Sequence, residues 1–199
     1  MATRVQTGQV SFSEFLEIVR EDQKADLLHG VIYMASPENI GHNHLLAWLS
    51  TILTQFLEER GLGRLTIERV AYRLSEKSAP EPDLAIVLNS RLGIMKSGYV
   101  DGAPDVAIEI ISPDSVDRDY EVKRKRYEAA GVQEYWIIDP LDESATFLQL
   151  GEAGYSEAPL KDHVFESRTL PGFHLDIRWL WQRPLPRTRP IVGRLLGGS

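Results

Sequence analysis

The chain contains no cysteine, which removes disulfides, zinc–thiolate sites, thiol nucleophiles and cysteine-ligated iron–sulfur clusters from consideration. That composition fits a reducing compartment, and a cytoplasmic location is the expectation. No apolar run approaches the ~18 residues of a membrane-spanning helix. The first residues, Met1 to Gly8, lack the apolar h-region of a signal peptide. Neither a membrane partner nor secretion is expected. Positive charge is also scarce: 22 Lys and Arg stand against 29 Asp and Glu, a formal net charge of −7. An overall basic nucleic-acid surface is therefore excluded, and any such contact must come from a local patch.

What is present suffices for a folded domain. At 199 residues the chain is long enough to bury a sizeable core, and residues 1–182 read as one domain. From 183 onward Pro184, Pro186, Pro190, a set of arginines (Arg183, Arg187, Arg189, Arg194) and a Gly-Gly-Ser end read as a poorly ordered tail. Ser11 and Glu14 form a capping box for a short helix that ends near Glu21. His29-Gly30 then predicts a tight turn in a β-hairpin, with Asp26 near its start. Ser36 to Asn39 breaks that hairpin and opens a long helix over 40–60, closed by Gly61. His42 and His44 fall in its first turn, and solvation or capping is the plain reading of His44. Residues 64–75 alternate as one strand, 84–88 form a strand buried on both faces, and 89–103 read as a long loop. A strand over 106–111, a charged helix reaching Ala130 and capped by Ser115 or Asp117, and a strand over 135–138 follow. Short antiparallel strands complete the chain. The fold class is α/β with a mixed sheet.

The informative stretch is Asp105 to Pro140. Glu109 is a carboxylate inside an apolar strand, and burying such a charge unpaired is costly. By alternation it shares a face with Ala107 and Ile111, opposite to Val106, Ile108 and Ile110. Lys123 and Tyr127, four residues apart on the next helix, share one face and can point into one cleft. Asp83 opens the neighbouring apolar strand. Two carboxylates and a lysine suit phosphodiester hydrolysis, in which a magnesium ion bound by one or two carboxylates neutralises phosphate charge and a lysine stabilises the transition state or poises water.

Plain structural readings stand beside this one. Glu109 can be an acid paired only with Lys123 or an arginine. Asp83 can be a strand-start residue after proline, and Asp119 a charge at a helix N-terminus. Tyr127, Tyr135 and Trp136 fit core aromatics better than substrate platforms. The run Lys123 to Arg126, with Arg118 beside it, can grip phosphates or form a solvated face balanced by Glu121 and Glu128.

These residues carry a resemblance. Pro82-Asp83, then Ala103-Pro104-Asp105 leading to Glu109-Ile110-Ile111-Ser112-Pro113, then Asp119, Lys123 and Tyr127 in order, resemble the bacterial Uma-two restriction endonuclease family of the PD-(D/E)xK nuclease-like superfamily. The run from Gly131 to Pro140 is the most specific match, and weaker matches extend it over about residues 12 to 182. The resemblance implies a restriction-endonuclease-like core, a mixed central sheet flanked by helices, with an added N-terminal hairpin and C-terminal antiparallel strands. It implies a Mg2+-dependent endodeoxyribonuclease, with Mn2+ as a substitute ion, acting on nucleic acid and on DNA first. Asp83 and Glu109 would hold the metal. The superfamily's lysine position, two residues after the second acid, is Ile111 here, so the resemblance moves the catalytic lysine to Lys123. His42, Asp26, Tyr127 and Asp119 would line the site. The alternative is a catalytically inactive module of the same fold that binds nucleic acid or a protein. Cutting both strands of a duplex with a one-strand site would call for a homodimer, with Trp179 and Trp181 as its apolar surface.

Overall fold

The structure, a computed structural model, describes residues 4–5, 9–20, 22–36 and 39–197. Glu21, Pro37, Glu38 and most of the first eight and last two residues, on which some sequence expectations fell, lie outside them. Ser11 caps helix α1 (Phe12–Ile18): its hydroxyl accepts the Glu14 N–H, and Glu14 accepts the Ser11 N–H at 2.7 Å. Strands β2 (Ala25–Leu28) and β3 (Val31–Met34) form the hairpin, and β1 (Arg4–Val5) pairs with the far edge of β3. His29 and Gly30 both take positive φ at its turn, as a two-residue hairpin of the favoured twist requires.

Helix α2 (Ile40–Arg60) starts at Asn39, whose side chain accepts the His42 N–H at 2.9 Å, and stops at Gly61 in the left-handed region. The segment 64–75, expected as one strand, is two: β4 (Gly63–Ile67) and β5 (Ala71–Tyr72). Glu68 and Arg69 both have positive φ between them, and the Glu68 N–H is drawn to the Asp83 carbonyl at 2.9 Å. Strand β6 (Leu84–Leu88) follows. The expected loop 89–103 is more ordered than a loop, with a 3-10 turn over Asn89–Ile94 and strand β7 (Tyr99–Val100) parallel to β5.

Strand β8 (Val106–Ile110) leads into a π-helical segment, Arg118–Lys123, and then α3 (Arg124–Ala129). The helix is thus wider in its first turns than the α-helix expected. Of the two proposed caps, Asp117 makes no side-chain cap bond, whereas Ser115 stands directly before the first helical residue and its carbonyl accepts the Asp119 N–H at 2.8 Å, its hydroxyl turning back to the Ser112 backbone. After β9 (Glu134–Asp139) come β10 (Ser144–Gly151), β11 (Gly154–Glu157), β12 (Val164–Glu166), β13 (His174–Asp176) and α4 (Thr188–Leu195).

The central sheet runs β11-β10-β9-β8-β6-β4, with β8 and β9 parallel and every other pair antiparallel. Alternation sorts its side chains to two faces. Leu84, Ile86, Val106, Ile108, Ile110 and Trp136 join the buried stripe of α2 in one core. Ala107, Ile111, Tyr135 and Ile137 join Tyr127 in another on the opposite face.

The tail does not match the expectation of poor order through its middle. Helix α4 buries Ile191, Val192 and Leu195 in the larger core and packs on α2, while the Pro186 carbonyl accepts the Trp48 indole N–H at 2.7 Å. Trp179 and Trp181 pack partly buried against that core rather than standing out as an apolar surface. Among the described residues no helix is long and apolar enough to cross a membrane.

Candidate active site

The site forms where β6 and β8 part. Their antiparallel register pairs Ile86 with Val106, Ala85 with Ala107 and Leu84 with Ile108, and one further step sets Asp83 opposite Glu109. Residues opposite one another in an antiparallel pair share a face, so both carboxylates lie on the face that α3 covers. The ladder ends there, and the side chain of Asp83 takes over from it: one oxygen accepts the Ile110 N–H at 2.6 Å.

Glu109 meets the helix through a single oxygen. Its Oε1 accepts Lys123 Nζ at 2.9 Å and the Tyr127 hydroxyl at 2.9 Å. The wide π-helical turns bring Lys123 and Asp119 to the same interior point, with Nζ 3.3 Å from Asp119. Asp26 reaches in from the hairpin, 3.2 Å from Lys123 and 3.1 Å from Arg118 Nε. Lys24, two residues earlier on the hairpin, is ion-paired to the other oxygen of Asp83 and lies 3.4 Å from Glu68. His42, from the first turn of α2, brings Nε2 to 3.5 Å from Asp83.

The structure thus brings together Asp26, His42, Asp83, Glu109, Asp119, Lys123 and Tyr127. It separates the basic run that starts at Lys123. Lys123 is buried, Lys125 pairs with Glu121 at 3.0 Å, and Arg126 turns to His29. Arg118, considered as a phosphate grip, is held by Asp26 instead. Sequence reasoning passed over Lys24, although strand alternation puts residues 24 and 26 on one face.

Four acids (Asp26, Asp83, Glu109, Asp119) here face three cations (Lys24, Arg118, Lys123), all at least mostly buried. Burial and the neighbouring acids Asp119, Asp83 and Asp26 push the Glu109 carboxyl up to about 8, against the pull of Lys123. Burial would also raise Asp83, but Lys24 and the His42 contact outweigh it and hold Asp83 below the usual carboxylate range. Burial disfavours the Lys123 cation, yet Asp119, Asp26 and Glu109 raise it well above an ordinary lysine. The three acids thus favour the ammonium form of Lys123. The cleft between these groups, edged also by Ser36 and Asp114, has a volume of about 20 Å3, room for one water or ion. Asp83 and Glu109 are the residues that could hold a cation in it. Among the described residues no three His, Asp or Glu form a ready-made cage.

A mixed central sheet flanked by helices makes this a protein of the α/β class. A crystal structure described as "a putative nuclease belonging to DUF820" from Anabaena variabilis ATCC 29413 superposes with a TM-score of 0.73 at 18% identity, over 86% of this chain and 97% of the other. The chain belongs to the Uma2 family, whose description is "Putative restriction endonuclease" and whose pattern matches residues 12–178. No curated protein matches it.

Proposed function

We propose that the chain is a divalent-metal-dependent endonuclease that hydrolyses phosphodiester bonds in nucleic acid, DNA first, in the cytoplasm. The observation that carries this reading is the register of β6 and β8, which sets Asp83 opposite Glu109 with Lys123 bonded to the latter at 2.9 Å. A divalent cation fits by donor type, because the carboxylates of Asp83 and Glu109 are hard oxygen donors facing one small cleft. With no three-residue cage among the described residues, Asp83 and Glu109 would be the protein ligands and water would supply the rest, which is the habit of magnesium. Bound there, the ion would neutralise phosphate charge and make a water nucleophilic.

The chain's own residues have separable roles under this reading. Lys123, as an ammonium, donates to the attacking water or to a phosphate oxygen and stabilises charge that grows in the transition state. Tyr127 holds Glu109 in one rotamer by its hydroxyl. Asp26 and Asp119 hold Lys123 in place, and Arg118 holds Asp26. The test is cleavage of plasmid and single-stranded DNA, and of RNA, with magnesium by wild type and by Asp83→Ala, Glu109→Gln and Lys123→Ala. Cutting that survives all three substitutions rejects the assignment.

One observation favours a second reading. Lys24 and Lys123 already neutralise Asp83 and Glu109, as in a nuclease fold that has become a binding module. Magnesium titration by calorimetry separates the two: Glu109-dependent metal binding belongs to the enzyme and its absence to the module.

A further inference from the structure

A second cavity is larger than the carboxylate cleft. It has a volume of about 660 Å3 and lies between α1, the Glu68–Arg69 turn and the 95–100 segment. That is within the range of small-ligand pockets. Its wall is mainly apolar, with Leu16, Val70, Met95 and Tyr99, joined by Gln23, Thr66 and the buried Glu81, and Leu16 is 44% exposed. Arg69 and Lys96 stand on its rim, both exposed. Asp22, close by, is paired with Arg20 at 2.9 Å.

The cavity connects to the candidate active site through shared residues. Gln23 and Arg69 line both it and a second hollow of about 280 Å3. That hollow in turn shares Lys24, Ala35 and Ser36 with the carboxylate cleft. The three hollows therefore adjoin in order, from the cleft at Asp83 and Glu109, by way of Lys24, to a mainly apolar pocket with Arg69 and Lys96 beside it. The turn beside these hollows is strained: Glu68 and Arg69 take φ of 38° and 50° in succession, a conformation that costs a residue with a side chain energy and collects at functional sites. The strain aims the two side chains apart, with Glu68 at Lys24, 3.4 Å away, and Arg69 on the wall of both hollows.

We propose that this cavity binds one unpaired nucleotide of the strand that is cut, its base against Val70, Met95 and Tyr99 and its phosphate at Arg69, so that the substrate is single-stranded or locally unpaired nucleic acid. The proposal rests on the nuclease reading above and specifies its substrate. An apolar slot with an aromatic ring takes any base face, and a cation beside it takes the backbone, which is how sequence-tolerant single-strand sites are built. A paired base inside a duplex cannot enter such a slot without leaving its stack.

The experiment uses the full chain and a short fluorescein-labelled DNA single strand, its duplex and the matching RNA strand, with affinity read by anisotropy without added metal. Wild type is expected to prefer single strands by about tenfold, and Arg69→Ala and Ser97→Trp each to lose about tenfold on the single strand and under about twofold on the duplex. Ser97 lines the cavity and is exposed, so its tryptophan fills the pocket without entering the core. The proposal is overturned if both variants bind the single strand as wild type does, or lose strand and duplex equally. Those results would leave Glu109-dependent plasmid cutting, and so the nuclease reading, untouched. Single-strand preference without any Glu109-dependent cutting would instead reject the nuclease reading and keep the pocket as a binding site.

Discussion

Tyr127 and Lys123 meet on one oxygen of Glu109, each at 2.9 Å. The two donors differ in what their loss would do. Lys123→Ala removes a charge from among three buried acids, a change that typically costs about 3–5 kcal/mol of stability as well as transition-state stabilisation. Tyr127→Phe keeps the ring packed at 4.9 Å from that of Tyr135 and removes only the hydroxyl. Under the nuclease reading Lys123→Ala is expected to cut at least about 100-fold more slowly, and Tyr127→Phe about tenfold more slowly with little change in melting temperature. Wild-type rates in Tyr127→Phe would show that the hydroxyl does not orient Glu109.

Lys24 gives a second expectation, because its ammonium sits on Asp83. An ammonium and a divalent cation compete for one carboxylate by simple charge repulsion. Lys24→Met is therefore expected to tighten magnesium binding by about tenfold at low salt, measured by calorimetry. If the affinity is unchanged, Asp83 does not share its carboxylate between lysine and metal.

Glu134 is the structural counterpart of Glu109, a carboxylate at zero exposure that no cation reaches among the described residues. It accepts Trp136 Nε1 at 3.0 Å, Gln149 Nε2 at 3.2 Å, Ser167 Oγ at 2.8 Å and the N–H groups of Arg168 and Thr169 at 2.6 and 3.1 Å. These bonds tie the 167–169 turn to the central sheet. Glu134→Ala leaves five donors without their acceptor, and a loss of about 3–5 kcal/mol in urea unfolding is expected. A loss below about 1 kcal/mol would mean that water replaces the carboxylate without penalty.

The difference between what was legible in the sequence and what was not follows from distance along the chain. Glu109 stood out as one acid among Val106, Ala107, Ile108 and Ile110, and the spacing of Lys123 and Tyr127 set both on the helix face that now meets it. The pairing of Lys24 with Asp83 spans 59 positions, and neither residue is unusual in its own neighbourhood. Helix α4 was hidden for a different reason. Pro184, Pro186 and Pro190 read as breakers, but Pro190 falls in the first turn of α4, where a missing N–H leaves no bond unmade. The break in residues 64–75 was hidden too, because Glu68 and Arg69 adopt positive φ through contacts with Asp83 and Lys24 that no local pattern announces.

Glu81 carries the pH dependence that is simplest to isolate. It is 5% exposed, accepts the Ala25 N–H at 3.0 Å, and its own N–H goes to Asp26. Burial, with the charge of Asp26 beside it, pushes its carboxyl from 4.5 up to about 8, despite the Ala25 bond and two nearby lysines. The folded chain therefore keeps a proton on Glu81 over a range where the unfolded chain has released it. Between pH 4.5 and about 8 the native state holds more protons at this group, so its contribution to stability falls as pH rises and levels off above the folded value. Glu81→Gln keeps an acceptor for Ala25 and cannot ionise. Its melting temperature is expected to exceed that of wild type by several degrees at about pH 9 and to converge with it at about pH 5. A gap of equal size at both ends would mean that the substitution acts through packing and that Glu81 is ionised in the native protein throughout.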